Sequence, residues 1–200
     1  MKFVISSQNR DAYKTVLSKF EVGYVALYGQ RLSIRDVGNS WVLIDQNEHR
    51  DTVGGCCLTL STVDPFKTKS REILEKFDIS PVQNILTLSN IVTPRGAGRG
   101  SSSHISKKDL KNFYRDLYEM VSNFAMGKNQ EIVLVELEEE EFMESVFSGL
   151  WPYSYYTRCD KTHTASGLLH LNEKTYQKFR RKWQSIDHFE EEKLKRIVLG

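Results

Sequence analysis

The sequence predicts an α/β (α+β) fold, with a mixed, mostly antiparallel sheet flanked by helices. Apolar strand patterns arrive in runs, with helices between only some of them. One strand pair, 84–92 and 131–137, is joined through a long helical pattern and is therefore expected to lie parallel. The composition is that of a folded chain, 40% hydrophobic and 27% charged over 200 residues. That length suits one domain over 1–200 with a sizeable core, residues 186–200 forming a charged tail.

Residues 2–6 read as a short strand. Residues 11–20 place Tyr13, Val16, Leu17 and Phe20 at helical spacing. The stretch "VGYVALYG" that follows is apolar, and its periodicity leaves strand and helix both open. A hairpin comes next, with strands at 40–46 and 53–62 around the polar turn Asn47 to Asp51. Pro65 opens a segment whose Ile73, Leu74 and Phe77 suit a helix, and "NILTLSNIV" after Pro81 is a strong strand.

Ser106 and Asp109 form a capping-box-like start. The helix they open is marked by Leu110, Phe113, Tyr114, Leu117, Val121 and Phe124 and stopped by Gly127. "EIVLVEL" at 131–137 is a strand, acidic at both ends, and "EEEFMESVFSGL" a short helix. "WPYSYYT" and "TASGLLHL" read as closing strands, and Asn172 caps a last helix carrying Tyr176, Phe179 and Trp183.

Composition excludes several classes. The formal net charge of +2 does not by itself point to nucleic acid. Three cysteines, two of them adjacent in an apolar strand, argue against a disulfide framework and for the reducing cytoplasm. Cys56 and Cys57 read as buried structural thiols. No C-x-x-C pair occurs and the five histidines lack metal-site spacing, so no metal is expected. No apolar run approaches the roughly 18 residues of a membrane span, and the N-terminus reads as a strand rather than a signal peptide.

The most distinctive stretch is "VTPRGAGRGSSSH", residues 92–104, between the strand at 84–92 and the long helix. N–H groups at a helix start lack intrahelical partners and sit at the positive end of the dipole. Glycines let backbone approach phosphate oxygens closely, and Arg95 and Arg99 add charge-assisted donors. The pattern Arg95-x-x-Gly98-x-Gly100 is neither a P-loop, which ends in Lys-Ser/Thr, nor a Rossmann fingerprint. An exposed Gly/Ser loop is the plain alternative.

That pattern resembles the pyrophosphate-binding loop of the GNAT superfamily, Q/R-x-x-G-x-G/A between a strand and a helix. About six residues separate Gly100 from the helix here, whereas the family enters it at the second glycine. A wider resemblance is to the acyl-homoserine lactone (autoinducer) synthases, over roughly 38–183. "YGQRLSIRDVGNSWVLIDQNEHRDTVGGCCLTLSTVDPF" is similar to that family's paired strands, and "ILTLSNIV" to its "E-L-S-R-F" strand. "FMESVFSGLWPYSYY" with "TASGLLHLNEKTYQKFRRKW" is similar to its later helix and closing strands.

The resemblance implies a GNAT-like fold and an N-acyltransferase taking its acyl group from acyl-CoA or an acyl carrier protein. The acceptor would be a small-molecule or protein amine. It implies a cofactor site at Val92, Arg95, Gly96, Gly98, Arg99, Gly100 and Ser101, and a carbonyl-polarising backbone N–H at about Asn90 to Thr93. The family's charged residues are largely missing: its strand arginine falls at or near Cys57, and the glutamate and arginine of "E-L-S-R" fall at Thr87 and Asn90, with Ser89 kept. A charge-reading pocket for S-adenosylmethionine is therefore not expected, and lactone synthesis is the less favoured specialisation.

Aminolysis of a thioester needs a neutral amine, a polarised carbonyl and a proton for the leaving sulfur. Glu136, near the end of the strand at 131–137, is the first candidate base; the competing reading is that Glu136 and Glu138 to Glu141 start the next helix, where carboxylates favour the dipole. His104 is a candidate base or phosphate partner, or a solvated loop histidine. Tyr156 is a candidate general acid in an aromatic cluster that also suits packing.

A different class remains open: a catalytically inactive GNAT-like module that binds a protein or nucleic acid. Lys174, Lys178, Arg180, Arg181 and Lys182 alternate with Tyr176, Phe179 and Trp183, as bases and phosphates would require. The i, i+3, i+7 spacing of those aromatics equally suits an amphipathic helix with its lysines in water.

Overall fold

The structure, a computed structural model, describes residues 2–29, 39–46, 52–62, 68–80, 83–93, 106–147, 151–159 and 163–181. In chain order the elements are β1 (Lys2–Ser6), α1 (Arg10–Tyr28), β2 (Ser40–Gln46), β3 (Thr52–Thr62), α2 (Thr68–Lys76), β4 (Asn84–Val92), α3 (Lys107–Gly127), β5 (Ile132–Glu138), α4 (Glu139–Phe147), β6 (Tyr153–Cys159), β7 (Thr164–His170) and α5 (173–181). The described strands form one seven-stranded sheet in the order β1-β2-β3-β4-β5-β7-β6. Neighbours are antiparallel except β4 and β5, which run parallel as the helical crossover requires.

Alternation along the strands divides the core between the two faces of the sheet. Leu86, Leu88 and Ile91 of β4 and Val133, Val135 and Leu137 of β5 pack on the α3 face, with Leu110, Tyr114, Leu117 and Val121. On the opposite face Val42, Ile44, Cys57 and Val92 meet Tyr13, Phe20 and Tyr24 of α1. Ile85, Leu134 and Leu168 meet Ile73 and Leu74 of α2 there. Trp151 closes the α3 face: its indole Nε1–H donates to the Tyr114 carbonyl at 2.9 Å.

The helix starts follow the sequence. Ser106 Oγ accepts the Asp109 N–H at 3.1 Å and the Ser106 hydroxyl donates to the Asp109 carboxylate at 2.6 Å. Asn172 Oδ1 accepts the Thr175 N–H at 2.9 Å. The ambiguous "VGYVALYG" continues α1, because Phe20 and Tyr24, one turn apart, both bury against the sheet. Left-handed Gly29, φ 66°, ends that helix with its N–H donating to Val25. No described helix is long and apolar enough to cross a membrane.

Candidate functional site

The strand β4 carries an irregularity that its apolar pattern encodes. Leu86 and Leu88 keep a two-residue period, and the next residue on their face is Ile91. The extra residue is Asn90: Cys57 pairs with Ser89 and Cys56 with Ile91, so Asn90 has no partner position on β3. Asn90 sits in the left-handed region at φ 54°, which Asn tolerates better than most side chains. Its amide Nδ2–H donates to Ser89 Oγ at 3.2 Å.

Parallel pairing of β4 with β5 runs from Leu86↔Val133 to Ser89↔Glu136, its last rung among the described residues. Beyond that rung β4 goes on pairing with β3 to Gly55↔Val92, and β5 with β7 to Glu138↔Thr164. The two central strands thus part company where the bulge begins. Past it, the Ile91 N–H is directed away from β3 and is accepted by Glu141 Oε1, from the first turn of α4.

Glu141 is 1% exposed, an unusual state for a carboxyl group. Burial pushes its pKa up to about 8, the Ile91 and Glu138 N–H groups pull it back, and the neighbouring Glu138 and Glu144 charges raise it further. Glu141 Oε2 is buried and makes no hydrogen bond among the described residues. Burial and then Glu141, Glu138 and Cys57 push the Tyr24 hydroxyl up. The Cys57 thiol is pushed up by burial and then by Glu141. The Ile91–Glu141 bond thus ties the β4 bulge to the β5–α4 junction, and the Glu141 charge is felt by Tyr24 of α1 and Cys57 of β3. A peptide N–H beside a proton-accepting oxygen in such surroundings can polarise a carbonyl and move a proton.

Glu136 is half-buried at the last parallel rung, opposite Ser89 on one side and Ser166 on the other. Alternation puts it on the face of Leu134 and Glu138, toward the side covered by α1 and α2. Helix α4 begins only at Glu139, so Glu136 and Glu138 are strand residues. Val92 is buried against α1. Tyr156 lies on β6, half-exposed, with its ring 5.8 Å from Phe142, and β7 separates its strand from β5. Arg95, Gly96, Gly98, Arg99, Gly100, Ser101 and His104 lie outside the described residues.

Glu141 went unnoticed in the sequence because it ends an acidic run that reads as a solvated helix start. The signal was present: it shares a buried helix side with Phe142 and Ser145. In α5, Phe179 is buried, 4.0 Å from the Tyr118 ring, and Tyr176 packs against the same cluster, as an amphipathic helix requires. Trp183 lies outside the described residues. Among the described residues no three His, Cys, Asp or Glu side chains gather as metal ligands.

No family model matches the chain, and no curated protein matches it in sequence. Solved structures do match in shape. The N-acyl amino acid synthase FeeM from uncultured soil microbes aligns over 86% of this chain and 96% of its own, with TM-score 0.53 and 10% identity. The acyl-homoserine lactone synthase LasI aligns over 86% and 90%, with TM-score 0.55 and 11% identity. BjaI, a CoA-dependent acyl-homoserine lactone synthase solved with SAM and isopentyl-CoA, aligns over 91% and 88%, with TM-score 0.53 and 16% identity. The fold is GNAT-like. Its layout is similar to that of the autoinducer synthase structures, with the mostly antiparallel sheet and flanking helices that the resemblance implied and the parallel central pair that the helical crossover required.

Proposed function

We propose that this GNAT-like chain is an N-acyltransferase that moves an acyl group from an acyl-CoA or acyl-carrier-protein thioester to an amine. The observation that carries the reading is the parting of β4 from β5 after Ser89 and Glu136, with the Asn90 bulge turning the Ile91 N–H toward that opening. A thioester laid there would find a fixed backbone dipole for its carbonyl, the kind of preorganised donor that stabilises a developing oxyanion. BjaI, solved with isopentyl-CoA, supports a CoA thioester as donor.

The stretch from Val92 through Arg95, Gly96, Gly98, Arg99, Gly100 and Ser101 precedes α3 in the sequence, and the first-turn N–H groups of that helix other than the Asp109 one taken by Ser106 are the proposed diphosphate donors. His104, two positions before Ser106 in the sequence, is the proposed phosphate partner. Glu136 lines the last parallel rung. With Cys57, Thr87 and Asn90 where the autoinducer synthases carry charged residues, the acceptor is an amine other than S-adenosylmethionine. Reduced, buried Cys56 and Cys57 suit a cytoplasmic protein.

Thermal melting with octanoyl-CoA tests the reading. A ligand at roughly 100 times its Kd should raise Tm by about 5–10 °C in a chain of this size. The double variant Arg95→Ala, Arg99→Ala should lose most of that shift. No shift with any CoA thioester or acylated carrier protein would remove the transferase assignment.

A further inference from the structure

Glu141 has two oxygens in different situations: Oε1 accepts the Ile91 N–H, while Oε2 is buried without a hydrogen bond to any of the described residues. A buried polar atom left unmatched is costly, and chains retain such atoms where a ligand completes them. Among the described residues, the titratable groups whose charges act on this carboxyl or feel its own are Tyr24 from α1, Cys56 and Cys57 from β3, Glu138 at the end of β5, Glu144 on α4 and Tyr153 on β6. None of these is a cation. In the ionised form that acts as a base, the partner that Oε2 lacks is thus a positively charged or proton-donating group, and an ammonium is both.

Resting on the acyltransferase reading, we infer that Glu141 is the catalytic base of this site: it yields the Ile91 N–H to the thioester carbonyl and takes a proton from the acceptor ammonium through Oε2. The atoms balance without any further reactant. The ammonium gives one proton to the carboxylate, and the neutral amine nitrogen forms a bond to the thioester carbon. The carbon–sulfur bond then breaks, and the second nitrogen proton goes to the departing sulfur, leaving an amide and a free thiol. Glu141 returns its proton to solvent. The assignment moves the base from the strand residue Glu136 to the following helix, where a carboxyl with a pKa of about 8 is close to the pH at which it must work.

The test follows thiol release from octanoyl-CoA by the full chain, with a panel of α-amino acids, polyamines and arylalkylamines, and with hydroxylamine. Glu141→Gln keeps an oxygen for the Ile91 N–H and removes the proton acceptor. It should lower kcat/KM with ammonium-forming acceptors by about 100-fold or more, and it should remove the rise in rate toward pH 8. Hydroxylamine is already neutral near pH 7 and needs no base, so the variant should keep at least about half the wild-type enzyme-dependent rate with it. That retained rate, with an unchanged octanoyl-CoA melting shift, shows an intact site. Wild-type rates and an unchanged pH limb in Glu141→Gln would overturn the inference alone. Equal loss with amines and hydroxylamine would assign Glu141 a structural role and overturn it too. No thiol release by the wild-type chain with any acceptor, and no melting shift, would bring down the acyltransferase reading and this inference together.

Discussion

The Ile91 N–H, one residue beyond left-handed Asn90, donates to the carboxyl of Glu141, 50 positions further along the chain. This bond joins the β4 bulge to the first turn of α4 across the opening between the two parallel strands. It places a buried carboxyl group with one unmatched oxygen where the described pairing of the central strands ends. Natural chains concentrate such costs at sites they use.

Stability should therefore fall as pH rises through the neutral range. The Glu141 pKa is raised on folding, from 4.5 to about 8. The native state then holds the proton more tightly than the unfolded state does. The resulting stabilisation is complete below pH 4.5, is lost as pH climbs through 8, and levels off above it. Urea unfolding of the wild-type chain relative to Glu141→Gln should show a loss of roughly 2–4 kcal/mol between pH 5 and pH 8. A difference that does not change with pH would show that this carboxyl titrates normally.

The bulge itself can be tested at Asn90, φ 54°. Asn90→Gly should be nearly neutral, because glycine adopts the left-handed region freely. Asn90→Val, β-branched, should cost about 1–3 kcal/mol or push the strand back into regular pairing. In either case octanoyl-CoA should lose more of its melting shift in the valine variant than in the glycine one. Equal stability and equal shifts would mean that the bulge does not depend on what occupies position 90.

Most of the fold was legible in the sequence because its signals are local and mutually consistent. The Ser106 cap, the apolar stripe of α3 and the helical link between β4 and β5 each demand one arrangement, and the structure has it. "VGYVALYG" was not legible, since whether Tyr24 continues a helix depends on the sheet that receives it. The site was only half legible. The glycine stretch shows itself by composition, whereas Glu141 becomes visible only when a bulge 50 residues away supplies its N–H partner. The sequence marks "NILTLSNIV" only as a strong strand, since Asn90 shows itself as an extra residue only against its partner β3.

The close approach of β3 to its neighbours makes another prediction. A Cβ on Gly54 would stand 2.5 Å from the Val92 carbonyl oxygen and 2.6 Å from the Phe113 ring. One on Gly55 would strike the Leu43 carbonyl oxygen on β2. Backbone cannot swing aside as a flexible side chain can, so either alanine should destabilise by about 1–3 kcal/mol or more. A shifted denaturant midpoint with an unchanged slope would register it. Gly54→Ala should also weaken octanoyl-CoA binding, because the displaced carbonyl belongs to Val92, directly before the proposed cofactor stretch. A wild-type midpoint in both variants would show that the strands separate more easily than their geometry implies.

Cys56 and Cys57 should be inert toward thiol reagents in the folded chain. Reaction requires the thiolate. Both side chains are buried, and burial with the nearby Glu141 charge pushes both thiols up. In a Cys159→Ser background, which leaves these two thiols alone, disulfide-exchange labelling at pH 8 should run at least about 100-fold slower than in urea. The residual rate should follow the global unfolding equilibrium, since both residues lie in interior strand β3, paired on both sides. Rapid labelling of one thiol without unfolding would mean that β3 opens locally at the bulge. Octanoyl-CoA should then suppress that labelling, because a ligand seated between β4 and β5 holds the bulged segment against β3.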